Sequence, residues 1–255
     1  MAITDRRLGI GLAVFSVVAA MAVPVGLSAL GVRWTEWPPA TCMPDHCFCE
    51  TVRSGWLRQP ANVVSSLVFC LVAALVVLGR AVPAGGSDDR EDRYLFWATA
   101  TFIGLGSSFF HASLTFVGQT FDLLGMYLVA TLLLLWSARR RLAWTASQRV
   151  AVYVLGNIVL LAILIVWPAL RRYVFGALVA AIVIAERSGR SPTGAPTSQK
   201  YLLIAIGLLL AGFVIWIADV TKFLCDPGSL VQGHAAWHLL GAGAALMAYA
   251  HYHQR

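Results

Sequence analysis

Apolar residues gather into eight runs along the chain, at 8–31, 61–82, 94–113, 119–137, 150–168, 169–186, 200–219 and 232–250. Each is close to the ~20 residues that a helix needs to cross the hydrocarbon core of a bilayer. The sixth is short, contains Gly176 and is set off from the fifth only by Pro168 and the pair Arg171 and Arg172. It reads as a tilted span or a re-entrant piece, and is counted as a span. The first follows Arg6 and Arg7 and ends in small residues around Ser28, Ala29 and Gly31, as a signal peptide would, but it exceeds the ~7–15 residues of a signal core, which favours an uncleaved anchor. The pattern predicts an all-α polytopic membrane bundle, a seven-span core plus one extra N-terminal span. It divides into an anchor (or signal peptide) at 1–32, a cysteine-containing loop at 33–60, a seven-helix core at 61–250 and a tail at 251–255.

Composition changes the picture only by excluding alternatives. Of 255 residues 59% are hydrophobic and 12% charged, whereas soluble domains sit near ~45–50% and ~25%, so no large soluble domain fits. The net charge of +7 is explained by the excess of Lys and Arg in cytoplasmic loops rather than by a nucleic acid partner, and no protein partner is evident. With the N-terminus inside, the inner loops hold thirteen basic residues (Arg6, Arg7, Arg80, Arg90, Arg93, Arg139, Arg140, Arg141, Arg149, Arg187, Arg190, Lys200, Arg255) and the outer loops six (Arg33, Arg53, Arg58, Arg171, Arg172, Lys222). Both termini are therefore expected in the cytoplasm. The Ser/Gly/Pro-rich stretch 188–198 reads as a cytoplasmic linker. Seventeen arginines against two lysines hint at a GC-rich genome, hence a bacterial inner membrane. Cys42, Cys47, Cys49 and Cys225 all fall on the outer side, where an oxidising compartment allows disulfides in three connectivities, while Cys70 lies within a span. A zinc site at Cys47 and Cys49 with His46 is the weaker reading, because a C-x-C pair lacks the usual ~2–4-residue spacer.

Ionisable residues inside spans are expensive and mark function by default. His111 ends the third run, Asp122 opens the fourth, Asp219 ends the seventh, and His234 and His238 open the eighth. Because successive spans alternate in direction, all five fall near the outer leaflet. His234 and His238 stand at i and i+4 on one helical face and can share one metal; Ser107 and His111 repeat that spacing, with Ser107 one turn deeper. Three imidazoles plus an open position make a catalytic zinc site, and a nearby carboxylate would be the general base and acid. Each residue also has a plainer fate. The histidine pair suits haem or a proton path; Asp122 suits a helix cap; Ser107 suits a bond to a carbonyl of its own helix. Asp219 stands either behind the histidines as a hydrogen-bond partner or simply at a helix end. Trp237 packs at the membrane interface or touches substrate, and His251 and His253 are expected to be solvated in the tail.

These pieces resemble a known family, the alkaline ceramidases, within the superfamily of seven-span membrane hydrolases that includes the adiponectin and progestin receptors. The resemblance runs over nearly everything after residue 45. It rests on Cys49-Glu50, Gln59-Pro-Ala-Asn62, Gly106-Ser-Ser-Phe-Phe-His111, Gln119-Thr-Phe-Asp122, Phe223-Leu-Cys225 and His234-Ala-Ala-Trp-His238. The resemblance implies that His111, His234 and His238 bind zinc, that Asp122 handles the proton, that Ser107 steadies the oxyanion and that Cys49 pairs with Cys225. It also implies cleavage of the amide of ceramide, or of a similar N-acyl lipid, to a fatty acid and an amine. Cys47 and Gln59 stand where the animal relatives carry acidic calcium ligands, so calcium is not predicted, and Leu123-Leu-Gly-Met126 replaces the family's Glu-Leu-Pro-Met. The first span and the segment from Cys42 to Cys47 are additions. Two rival functions remain: a receptor or sensor with a structural zinc, and a transporter. Transport is the poorer fit, because a pathway needs polar groups through the whole thickness.

Overall fold

The computed structural model describes residues 3–43, 47–81, 89–139, 141–188 and 199–253, with residues 3–6, 21, 24, 28 and 188 described by their backbone alone. Expectations for His46, Arg140, Arg190, Arg255 and the linker 188–198 beyond Ser188 fall outside these residues. Among them the chain is helical, with no strand and one isolated bridge between Pro39 and Thr115. Nine helices follow in order: α1 (Ile3–Ala29), α2 (Pro60–Ser66), α3 (Val68–Val77), α4 (Arg90–Ser113), α5 (Phe116–Arg139), α6 (Ala146–Val166), α7 (Arg171–Ser188), α8 (Lys200–Val220) and α9 (Gly233–Tyr252). Every apolar run is thus helical. Five stretches are long and apolar enough to cross a membrane: Pro60–Val77, Phe116–Arg139, Ala146–Val166, Pro168–Arg187 and Lys200–Val220. α4 opens on the charged run Arg90 to Arg93 and ends in serines and a histidine, and α9 carries histidines near both ends, which lowers their hydropathy.

The second run is two helices. Ser65 and Ser66 both turn their hydroxyls onto the carbonyl of Asn62, and this back-bonding competes with the helical ladder. The chain breaks at Leu67 and resumes as α3. Between α4 and α5 the turn is tight: Leu114 adopts a left-handed φ of 52°, and Thr115 caps α5 by accepting the N–H of Gly118 at 3.1 Å. Asp122 therefore lies inside α5, and the capping role belongs to Thr115.

Glycines allow the close approach of α4 and α5. A Cβ on Gly106 would stand 2.9 Å from the carbonyl oxygen of Phe121, and one on Gly125 would stand 2.7 Å from Cα of Ile103. The two helices meet backbone to backbone beside Asp122. α5 runs unbroken through Gly125. α1 packs on α3 and α4, where Ser16 is fully buried, bonded to Thr101 Oγ1 at 2.9 Å and to the indole N–H of Trp97 at 2.8 Å.

An apolar core fills the middle of the bundle, with Phe69, Phe96, Leu132, Trp136 and Tyr249 among its residues. At the end of the bundle where α4 begins and α9 finishes lies a second polar cluster. Asp92 accepts from Trp136 Nε1 at 2.7 Å, pairs with Arg139 and lies 3.4 Å from His253. Glu186 bonds His251 and Tyr252, each at 3.0 Å. His251 and His253 are buried, which corrects the expectation of a solvated tail: α9 continues through Tyr252 and carries them back onto α4 and α7.

Candidate metal centre

His111 lies in the last turn of α4, and His234 and His238 in the first turns of α9. Candidate ligand atoms of the three lie within 4.8 Å of one another, and all three residues are buried. His111 Nε2 and His234 Nε2 are 3.1 Å apart. Two ligands of one tetrahedral ion at 2.0–2.1 Å would be separated by about 3.3–3.4 Å, so the pair is nearly at the spacing a single ion requires. Groups behind the rings set their tautomers. Gln59 Oε1, an acceptor, sits 3.0 Å from His111 Nδ1, so that nitrogen carries the proton and Nε2 keeps its lone pair. Ser65 donates to Asn62 O, leaving its oxygen to accept from His238 Nδ1 at 2.8 Å. His234 is held differently. Its ring stacks on Phe48 at 3.7 Å, and its Nδ1 is buried without a hydrogen-bond partner among the described residues.

Two carboxylates brace the frame without touching a histidine ring. Glu50 takes the N–H of Ala61 at 2.7 Å and of Asn62 at 2.9 Å, closing the first turn of α2. Burial pushes its carboxyl above the usual range, against the lowering effect of those two bonds. Asp219, at the end of α8, takes the N–H of Cys49 at 3.0 Å and of His234 at 2.9 Å. It ties the cysteine loop to the start of α9, which is both a helix-end role and a supporting one. Gly233 leaves the room for this contact, since a Cβ there would meet Asp219 at 3.0 Å. Cys49 and Cys225 are bonded with Cα atoms 5.5 Å apart, and Cys42 and Cys47 with Cα atoms 4.6 Å apart, both within the range a disulfide needs.

Ser107 is buried beside the histidines: its Oγ accepts from Ser66 Oγ at 3.0 Å and lies 3.3 Å from His238 Nε2. Asp122, half-buried, faces a cavity of about 240 Å³ that Ser107, His234, His238 and Trp237 also line. From there the cavity continues between α5, α7, α8 and α9 along apolar residues such as Met126, Leu133, Phe175, Ile182, Leu209 and Ala245. Trp237 packs on Gly212, where a Cβ would stand 2.9 Å from its ring, and lies 4.9 Å from the ring of Phe213. It is thus part of the cavity wall.

The sequence-derived set is brought together at one end of the bundle. Gln59, Ser65 and Phe48 were missed as supports. The only available signal was that Gln59 and Asn62 stand in one of the motif pieces, which did not reveal contact with a histidine 52 residues away.

Fold and site together define an integral membrane helix bundle with a buried three-histidine centre at the head of an apolar cavity. Residues 43–254 match the Ceramidase family, and the chain belongs to it. The chain is 27% identical over 238 residues to the candidate alkaline ceramidase dcd3A of Dictyostelium discoideum, covering 78% of this chain and 81% of that protein. It is 22% identical over 172 residues to the candidate alkaline ceramidase dcd3B of the same organism, covering 59% of this chain and 60% of that protein's length. Family membership implies a lipid amide hydrolase, and the histidine cluster suits a metal ion.

Proposed function

We propose that this protein is a zinc-dependent membrane amidohydrolase that cleaves ceramide or a similar N-acyl lipid to a fatty acid and an amine. The observation that carries the reading is the convergence of three buried imidazoles beside a carboxylate and a hydroxyl at the head of an apolar cavity. The donor set fits zinc, since three neutral nitrogens with two tautomers fixed from behind leave an open position, as catalytic sites do and closed structural sites do not. A zinc ion held by His111, His234 and His238 would acidify a water and polarise the amide carbonyl. The chain's own groups do the rest. The apolar cavity takes the acyl chain and keeps bulk water away, with Trp237 packing against the lipid. Asp122 takes the water's proton on a carboxylate oxygen and delivers it to the leaving nitrogen, without which an amine is a poor leaving group. Ser107 donates a hydrogen bond to the oxyanion.

In this reading the chain has eight spans and both termini in the cytoplasm. The anchor is 1–32, the loop 33–60 lies on the outer face of what would be a bacterial inner membrane, and the catalytic core spans 61–250. The test is metal analysis of purified protein beside fatty-acid release from a panel of ceramides and other N-acyl lipids. About one zinc per chain and release that stops on chelation and returns with zinc are expected. A metal-loaded protein that releases fatty acid from none of the panel would favour a receptor instead.

A further inference from the structure

Two arginines at the cavity have no place in the hydrolysis just described. Arg171 and Arg172 open α7 and both line the cavity, yet neither meets a carboxylate among the described residues. Guanidinium groups at a membrane depth are costly unless paired or carried to water along their stems. Here Arg171 is half-buried and Arg172 exposed, and both line the cavity. The phenol of Tyr127, wholly buried on α5, donates to the carbonyl of Arg171 at 2.9 Å and pins the start of α7. Arg171 Nη1 donates to Pro168 O at 2.7 Å, which occupies one of its five donors. Arg172 lies over Trp216 of α8 at 5.2 Å, a cation–π contact across the cavity's rim. Asp122 is the acid among the described residues of the cavity lining, and it forms no ion pair with either arginine.

The cavity therefore presents two guanidinium groups without a carboxylate partner among the described residues, Arg171 held by Pro168 O and Arg172 over Trp216, and such forks suit bidentate capture of an oxyanion. We propose that Arg171 and Arg172 bind a carboxylate or phosphate on the amine half of the substrate, so that the lipid cleaved is an N-acyl lipid with an anionic head. This rests on the amidase reading. The acyl chain fills the apolar stretch, the amide lies at the histidines, and the remaining head reaches the arginines. A neutral head would leave both forks unmatched.

The test uses purified full-length, zinc-loaded protein in nanodiscs of phosphatidylcholine. The substrates are N-palmitoylglycine against N-palmitoylethanolamine, and phosphorylated ceramide against ceramide. In the wild type the anionic member of at least one pair should have kcat/KM higher by about tenfold or more, chiefly through KM. The ratio should fall toward one in R171Q/R172Q and lie between in R171K/R172K, which keeps charge but loses the fork. A wild-type ratio near one, or a ratio unaltered by the glutamines, overturns the proposal. So does an effect of phosphatidylglycerol in the disc that replaces the effect of the substrate's head, since the arginines would then read the bilayer. If no lipid is hydrolysed at all, the amidase reading fails separately, and the mouth is judged by binding, followed by tryptophan fluorescence. Hexadecyl phosphate binding more tightly than hexadecanol in wild type but not in R171Q/R172Q keeps the oxyanion site; equal binding removes it.

Discussion

Gln59 and Ser65 govern the centre without being ligands, because each determines which nitrogen its histidine presents. Gln59→Leu is nearly isosteric and removes the acceptor for His111 Nδ1, so metal affinity should drop by roughly 10–100-fold, measured by titration against a competing chelator. Gln59→Glu, which keeps an acceptor, should hold the metal better than Gln59→Leu. The proton carrier and the ligands separate by the same logic. Asp122→Asn should keep its zinc and lose turnover, whereas His238→Ala should lose both. Ser107→Ala should fall between wild type and these, since loss of an oxyanion donor costs ~2.7–4 kcal/mol where it has been measured. Metal content beside fatty-acid release distinguishes the three, and Asp122→Asn turning over at the wild-type rate would reject its role.

At the scale of elements the legible and the hidden divide by range. Apolar runs and the i, i+4 spacing of His234 and His238 are local signals, carried by a few neighbouring residues, and they led to the helices and to three of the centre's members. Gln59 meets His111 across 52 residues, and the break at Leu67 follows from two serine hydroxyls choosing a carbonyl, which hydrophobic periodicity does not register. His251 and His253 looked solvated because they neighbour the charged terminus, yet their partners Glu186 and Asp92 come from α7 and α4. Contact between α4 and α5 was equally silent, since Gly106 is just one letter in a motif until the backbone of Phe121 is seen against it. Gly106→Val should therefore push α5 away from Ser107. A cost of about 1–3 kcal/mol is expected from overpacking, with turnover falling further than thermal stability, as compared by fatty-acid release and a melting curve. Activity undiminished by valine would mean that this approach does not position Asp122.

Across the whole molecule the polar chemistry lies in two layers. Asp92 to His111 on α4, and His234 to His253 on α9, are each nineteen positions apart, which is roughly 28 Å of helix. Between the layers the core is largely apolar, with Phe96, Ala100 and Ile103 on α4 and Ala242 and Ala245 on α9, and the hydroxyls buried there are taken locally, Thr99 by the carbonyl of Leu95 and Thr101 by Ser16. Among the described residues no ladder of hydroxyls or carboxylates joins Asp122 to Asp92. An enzyme that admits water into a membrane risks short-circuiting the ion gradient that the membrane maintains, because a chain of waters and acids conducts protons. The apolar middle layer is the insulator. Vesicles reconstituted with the protein should hold an imposed pH difference as long as empty ones, read with an entrapped pH-sensitive dye, even while lipid is being hydrolysed. A gradient that collapsed only with protein present would make the chain a conductor and revive transport. The proposed hydrolysis would then run at one membrane face without draining a gradient held across it.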